Sequence, residues 1–181
     1  MTIGKKIIEF EEIDSTSSEA RRRASQVEEG TVFLSKIQTG GRGKPDSDWF
    51  SPEGGLYFSI ILKPFRDPKE LSEITLVFAR AVVSSLLKFS GLKAEIKLPN
   101  DVLVKGRKIC GILTERISKG IMIVGIGVNL NITLFPENLS ATSVKLEIGK
   151  EIDSKKYFRV LLDELECKYL KFCNYLGGTP H

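Results

Sequence analysis

Three features of the sequence predict an α+β fold with a mixed, largely antiparallel sheet flanked by helices. Residues 71–89 and 154–175 repeat apolar side chains at helical spacing. Residues 31–37 (TVFLSKI) and 55–62 (GLYFSIIL) are β-branched and aromatic runs that read as strands. Between 94 and 128, short strand-like segments alternate with tight turns, the pattern of an antiparallel or mixed sheet. A length of 181 residues fits one domain spanning 1–181.

The elements follow in order. Residues 5–13 form a first strand through Ile7, Ile8, Phe10 and Ile13, and Asp14-Ser15-Thr16-Ser17 then offers helix N-caps. The helix that follows carries Ala20, Ala24 and Val27 on one face and is expected to stop at Gly30. Arg21, Arg22 and Arg23 fall on its other side and read as a solvated face. Strand 31–37 feeds a glycine loop, and strand 55–62 leaves it. Helix 71–89 presents a wide apolar stripe that includes Ile74, Phe78, Val82 and Leu86, a core face. Then come segments 94–97, 101–104, 108–117 and 121–128, with turns at Lys105-Gly106 and Ser118-Lys119-Gly120. The last helix, 154–175, buries Phe158, Leu161, Leu162, Leu165, Tyr169 and Phe172.

Composition narrows the chemistry. At 41% hydrophobic and 28% charged the chain is ordinary globular protein, and a net charge of +4 makes any anion preference local. Dedicated nucleic-acid binding is not implied. No apolar run approaches the roughly 18 residues of a membrane span, and the start lacks a secretory signal, so a soluble cytoplasmic protein is expected. Cys110, Cys167 and Cys173 lack zinc-site spacing, and the only histidine is His181 at the end, which argues against triad chemistry.

Residues 38–49, QTGGRGKPDSDW, concentrate the functional signal. Gly40, Gly41 and Gly43 let backbone amides approach an anion, Arg42 and Lys44 can neutralise it, and Trp49 offers a stacking face. The loop is not a P-loop, because Pro45 follows Lys44 where a hydroxyl would hold magnesium. GIGVNL at 125–130 has the first two glycines of a dinucleotide fingerprint but Leu130 at the third. Gly125 and Gly127 serve either close strand packing or the approach of a ligand. A second cluster, KLPNDVLVKGRKICGILTE at 97–115, sets Lys97, Asn100, Asp101, Lys108 and Glu115 among apolar residues. Simple alternation puts Lys108 with Cys110 and Ile112 on one face and Gly111 with Glu115 on the other, so Lys108 and Glu115 are expected to diverge. Pro-Asn-Asp is also a good turn, and Lys108 could be a plain surface lysine.

QTGGRG with Trp49 and SPEGGLYFSI, then KLPNDVLVKGRKICGILTE, then GIGVNLN resemble, in order and spacing, the catalytic domain of biotin protein ligases, from Asp14 through Asn131. The resemblance implies the fold of class II aminoacyl-tRNA synthetase-like enzymes. It implies that biotin and MgATP give biotinyl-5'-AMP and pyrophosphate, after which a lysine of a biotin carboxyl carrier protein attacks the anhydride. Ser15, Thr16, Ser17 and Gln38, with groups near Gly41, would hold the biotin ureido ring. Arg42, Gly43 and Lys44 would close over the carboxylate and α-phosphate, opposed by Lys108. Trp49 would stack on adenine, Asn129 read its edge, Lys97 contact the nucleotide, and Asn100 help hold magnesium with the phosphates, no metal being fixed by protein alone. Asp101 would orient or deprotonate the carrier lysine, giving Arg42, Lys108 and Asp101 the catalytic roles. Gly111, Gly125 and Gly127 would leave room for the biotin rings and tail.

Lys44 stands where that family usually has a second arginine, and Leu98 where it has tryptophan. The motifs begin at Asp14 and the chain ends soon after its last helix, so neither an N-terminal helix-turn-helix nor a C-terminal β domain is expected, and no repression of transcription. A homodimer through a sheet edge is compatible with the resemblance. The alternatives are a lipoate or octanoate ligase of the same superfamily, and a module that binds biotin or biotinyl-AMP without transferring it.

Overall fold

The computed structural model describes residues 2–44, 47–64 and 71–175. Pro45 and Asp46 of the glycine loop and His181 lie outside the described residues. A seven-stranded sheet runs in the order β1-β2-β3-β7-β6-β5-β4, with β1 Ile7–Ile13, β2 Val32–Gln38, β3 Gly55–Leu62, β4 Glu95–Lys97, β5 Asp101–Val104, β6 Arg107–Ser118 and β7 Ile121–Asn129. Only β1 and β2 pair in parallel, across the connection made by α1 Thr16–Arg23; the other neighbours are antiparallel. The expected mixed, largely antiparallel sheet is what forms.

The two faces of the sheet are covered unequally. On one, α2 Leu71–Ser90 and α4 Ser154–Tyr175 bury Phe78, Leu86, Leu161, Leu165 and Tyr169 against Phe58, Val124, Ile126 and Ile112. The rings of Phe58 and Phe158 meet edge-on at 5.1 Å, and Phe78 stacks on Tyr169 at 6.2 Å. Full burial of each such side chain contributes about 1.5–3 kcal/mol. On the other face, the short α1 and the turn after it cover the β1–β3 side and the start of β7, where Ala20, Ala24 and Val27 pack on Phe33, Ile61 and Ile123.

Two local predictions needed correction. Helix α1 ends at Arg23 with Ala24 as its cap, so Gly30 is not its terminator. Instead Gly30 adopts φ +77°, and an added Cβ would sit 2.0 Å from the carbonyl oxygen of Thr2, which crosses over it. A single helical turn, α3 Val144–Ile148, appears between Ser143, whose Oγ accepts the Leu146 N–H, and Gly149 at φ 73°. Five residues are too few for apolar periodicity to register, although the Ser and Gly bracket it. The Lys105-Gly106 turn has both residues at positive φ, 51° and 76°, which matches the twist of a two-residue hairpin between β5 and β6.

Candidate functional site

Glycines create the floor of the uncovered half-face. Gly111 on β6 pairs with Gly127 on β7, and Gly125 on β7 pairs with Ser59 on β3 and with Leu113 on β6. Side chains missing at three neighbouring positions open a shelf in the sheet. The loop between β2 and β3 folds over it. Thr39 N–H and Gly40 N–H donate to the carbonyls of Ile13 and Asp14, Trp49 N–H donates to that of Gly41, and Tyr57 hydroxyl holds the Pro52 carbonyl at 2.7 Å. Arg42 bridges to Asp48, so the loop turns back on itself with Trp49 beneath.

Trp49 lies on the glycine shelf. A Cβ on Gly127 would stand 2.3 Å from its Nε1, and one on Gly111 2.7 Å from its ring. The ammonium of Lys108 sits 5.1 Å from the indole centroid, within cation–π range. The remaining cavity is about 230 Å³, below the roughly 300–1,000 Å³ of small-molecule pockets, because the indole occupies the shelf. A second recess continues past Trp49 and Lys108 to Phe50, Asn129, Phe135 and Ala141.

A polar nest closes the inner end. Thr16 N–H and Oγ1 both donate to Gln38 Oε1 at 2.8 and 3.0 Å, Thr16 Oγ1 and Ser17 Oγ lie 2.8 and 3.0 Å from Ser59 Oγ, and Gln38 Nε2 donates to Ser51 Oγ at 2.9 Å. Ser59 is fully buried and was missed by the sequence reading. A serine inside the apolar run YFSII, on the same side of the strand as Tyr57 and Ile61, was the available signal. Ser15 is the N-cap of α1, its Oγ accepting the Ser18 N–H, and it does not line the cavity.

The cations come from two directions. Strand β6 carries a bulge: Val102 pairs with Cys110 and Leu103 with Lys108, leaving Ile109 as the extra residue. Ile109 and Cys110 are both buried in the core, so Lys108 is turned to the shelf face together with Gly111 and Glu115. The expected divergence of Lys108 and Glu115 is therefore wrong, because one inserted residue reverses the alternation. The Lys108 main chain is pinned by Ser140 and Thr142, and Asn129 Nδ2 donates to the Thr142 and Lys108 carbonyls at 3.0 and 3.4 Å. The Lys108 ammonium reaches Asp101 Oδ1 at 2.7 Å, an ion pair without hydrogen-bond alignment. From the loop, Arg42 grips Glu115 and lines the cavity beside Gly43 and Lys44.

Arg21, expected on a solvated face, also joins Glu115, while Arg22 and Arg23 pair with Glu19. Lys97 is exposed on β4 and lies off the cavity lining, whereas Asn100 contributes to it. Among the described residues, the buried side-chain polar atoms without a hydrogen-bond partner are Trp49 Nε1, Asn100 Oδ1, Asp101 Oδ1 and Glu147 Oε2. Trp49 and Asn100 line the cavity, whereas Asp101 Oδ1 faces the Lys108 ammonium at 2.7 Å. Burial pushes the Cys110 thiol up, more than nearby Lys108 lowers it, so this cysteine is not a nucleophile. The cations of the site can bind anions and position them.

Known proteins are similar to this chain in sequence and in fold. "Bifunctional ligase/repressor BirA" of Bacillus subtilis is 34% identical over 98% of this chain and 58% of its own length. The "Biotin--[acetyl-CoA-carboxylase] ligase" of Paracoccus denitrificans is 30% identical over 82% of this chain and 66% of its length. The chain thus spans a little over half of the Bacillus relative. A structure of biotin protein ligase from Aquifex aeolicus in complex with biotin and ATP superposes with a TM-score of 0.87 at 34% identity, covering 94% of this chain and 72% of that one. A putative lipoate protein ligase from T. acidophilum shares the fold at 15% identity and a TM-score of 0.68. The family profile extends over residues 8–131, from the first strand past the glycine shelf, and therefore takes in the loop, the bulged strand and the polar nest together. On that match, the chain belongs to the biotin/lipoate A/B protein ligase family.

Proposed function

We propose that this chain is the catalytic unit of an ATP-dependent biotin protein ligase that makes biotinyl-5'-AMP and transfers biotin to a lysine of a biotin carboxyl carrier protein. One observation carries the reading: Arg42 from the loop and Lys108 from the bulged strand converge on a cavity whose inner end is lined by hydroxyls and an amide. The neutral ureido ring needs matched donors and acceptors, which Thr16, Ser17 and Gln38 supply, with the buried Ser59 holding the two hydroxyls from behind. Its rings and tail take the shelf over Gly111, Gly125 and Gly127, and the indole of Trp49 moves off it to stack on adenine in the recess beside Asn129.

In the first step a biotin carboxylate oxygen attacks the α-phosphorus of ATP, and the bond to pyrophosphate breaks. Two anions must meet, so Lys108 and Arg42, with Lys44 nearby, offset their repulsion and stabilise charge on the phosphorus. Magnesium belongs to this reading through the triphosphate. Asn100 Oδ1 and the Asp101 carboxylate are hard oxygen donors suited to it, though among the described residues no group of three His, Cys, Asp or Glu could hold a metal. The ion, when bound with ATP, neutralises phosphate charge. In the second step Lys108 has turned to the adenylate, which frees Asp101 to take a proton from the carrier lysine. The lysine nitrogen then bonds to the acyl carbon and AMP leaves.

A cytoplasmic setting, where ATP and carrier proteins meet, goes with this function; no described helix is long and apolar enough to cross a membrane. A homodimer formed through β1 or β4, the strands at the ends of the sheet, would be seen by light scattering. Incubation with biotin, ATP, magnesium and a biotin carrier domain, read by streptavidin blot, tests the activity. A labelled carrier is the expected result. Lipoyl transfer in its place, or an adenylate that is formed but never passed on, would replace the proposal with a lipoate ligase or a binding module.

A further inference from the structure

We propose that Glu115 is a positioning residue for the activation step: its carboxylate holds Arg42, and with it the loop, over the shelf. This rests on the ligase reading above. Arg42 meets Glu115 as a fork, NH1 to Oε2 at 3.0 Å and NH2 to Oε1 at 2.9 Å. Arg21 of α1 takes Oε1 from the other side at 2.7 Å. Glu115 is anchored on a central strand and its side chain is only 17% exposed, against 39% for Arg42 and 44% for Arg21. Exposed ion pairs contribute little, but a largely covered carboxylate shared by two guanidiniums in fork geometry is the arrangement that does.

The geometry leaves Arg42 able to work. A guanidinium has five N–H donors, and the fork uses two of them on one edge. The remaining three can meet a carboxylate or an α-phosphate without releasing Glu115. Arg21 fixes the carboxylate from behind, so the same helix that supplies Thr16 and Ser17 to the inner end of the slot also sets the outer cation. Without Glu115, Arg42 would swing on an exposed loop, and ordering it would be charged to the transition state.

The test is Glu115→Gln, which keeps size and removes charge, measured in the full chain. Biotin-dependent exchange of pyrophosphate into ATP should show KM for ATP raised, and release of biotinyl-AMP quickened, each about 10-fold to 100-fold. In an Arg42→Ala background the same substitution should change neither, because its effect passes through Arg42. Equal effects in both backgrounds, or a kcat loss that only follows the folded fraction at unchanged KM, would overturn the proposal. Trypsin cleavage between Arg42 and Gly43 gives a readout independent of activity, and it should be several-fold faster in Glu115→Gln. Unchanged cleavage would refute the hold on Arg42. Faster cleavage in a protein whose wild type makes no adenylate would refute the ligase reading instead, and the positioning role of Glu115 in activation with it.

Discussion

Lys108 points its charge at the shelf from a main chain held on both sides, by Ser140 and Thr142, and its counter-ion Asp101 belongs to the neighbouring strand. On the proposed function, that pairing assigns Lys108 to activation and Asp101 to transfer. Lys108→Ala should slow formation of biotinyl-AMP by about 100-fold to 1000-fold, the usual cost of removing one preorganised electrostatic contact. Asp101→Ala should slow transfer to the carrier more than activation. Single-turnover assays of each step check both, and equal small effects on the two steps would contradict the assignment. Arg42 stood out in the sequence through the glycine loop, whereas Lys108, Thr16 and Gln38 were assigned through the resemblance to biotin protein ligases; all four line the cavity. Ser59 and Glu115 were not recognised as site residues. Each sits on a strand where only its partner, from α1 or from the loop, shows its use.

The element that most affects the site is the loop between β2 and β3, whose Trp49 is the only tryptophan in the chain. Its indole rests on bare glycine backbone with Nε1 lacking a partner, so a ligand that takes the shelf must move it. Biotin should therefore change intrinsic fluorescence in a saturable way, and hydrogen exchange at Gly40, Gly41 and Gly43 should slow as the loop orders. Loss of the saturable change in Trp49→Phe confirms the reporter; an unchanged spectrum in the wild type at saturating biotin would show that the indole does not yield. Strand β6 makes a second point at this scale. Period-two alternation is a local rule, and the bulge at Ile109 that breaks it is set by pairing with β5 and by burial of both Ile109 and Cys110. No feature of RKICGIL announces that inserted residue.

At the scale of the whole molecule, one face of the sheet carries the larger core, and the other carries a smaller core beside the cavity. Phe78→Ala, on α2 and stacked on Tyr169, should destabilise by about 3–5 kcal/mol, seen as a lowered Tm. Acid should weaken the fold in a defined window. The Arg22 guanidinium, by hydrogen bond and by charge, and the Ser15 N–H hold Asp14 at about 2 against an ordinary 3.8. A carboxylate depressed in the folded state stabilises fully above its unfolded value and loses that contribution as pH falls from 3.8 toward 2. Asp14→Asn should flatten that part of a pH titration of Tm; an unaltered slope would show that the Arg22 pair contributes nothing.

The sequence by itself determined the class of fold, the place of nearly every strand and long helix, and the loop that lines the cavity. Those follow from local propensity, apolar periodicity and turn residues, all of which act between near neighbours. Only the tertiary structure decided that β1 lies parallel to β2, that Lys108 shares a face with Glu115, that Trp49 lies on the glycine shelf, and that Arg21 and Arg42 divide one carboxylate. Each of these depends on residues brought together from distant parts of the chain, where competition for buried hydrogen bonds and charge partners outweighs any local preference.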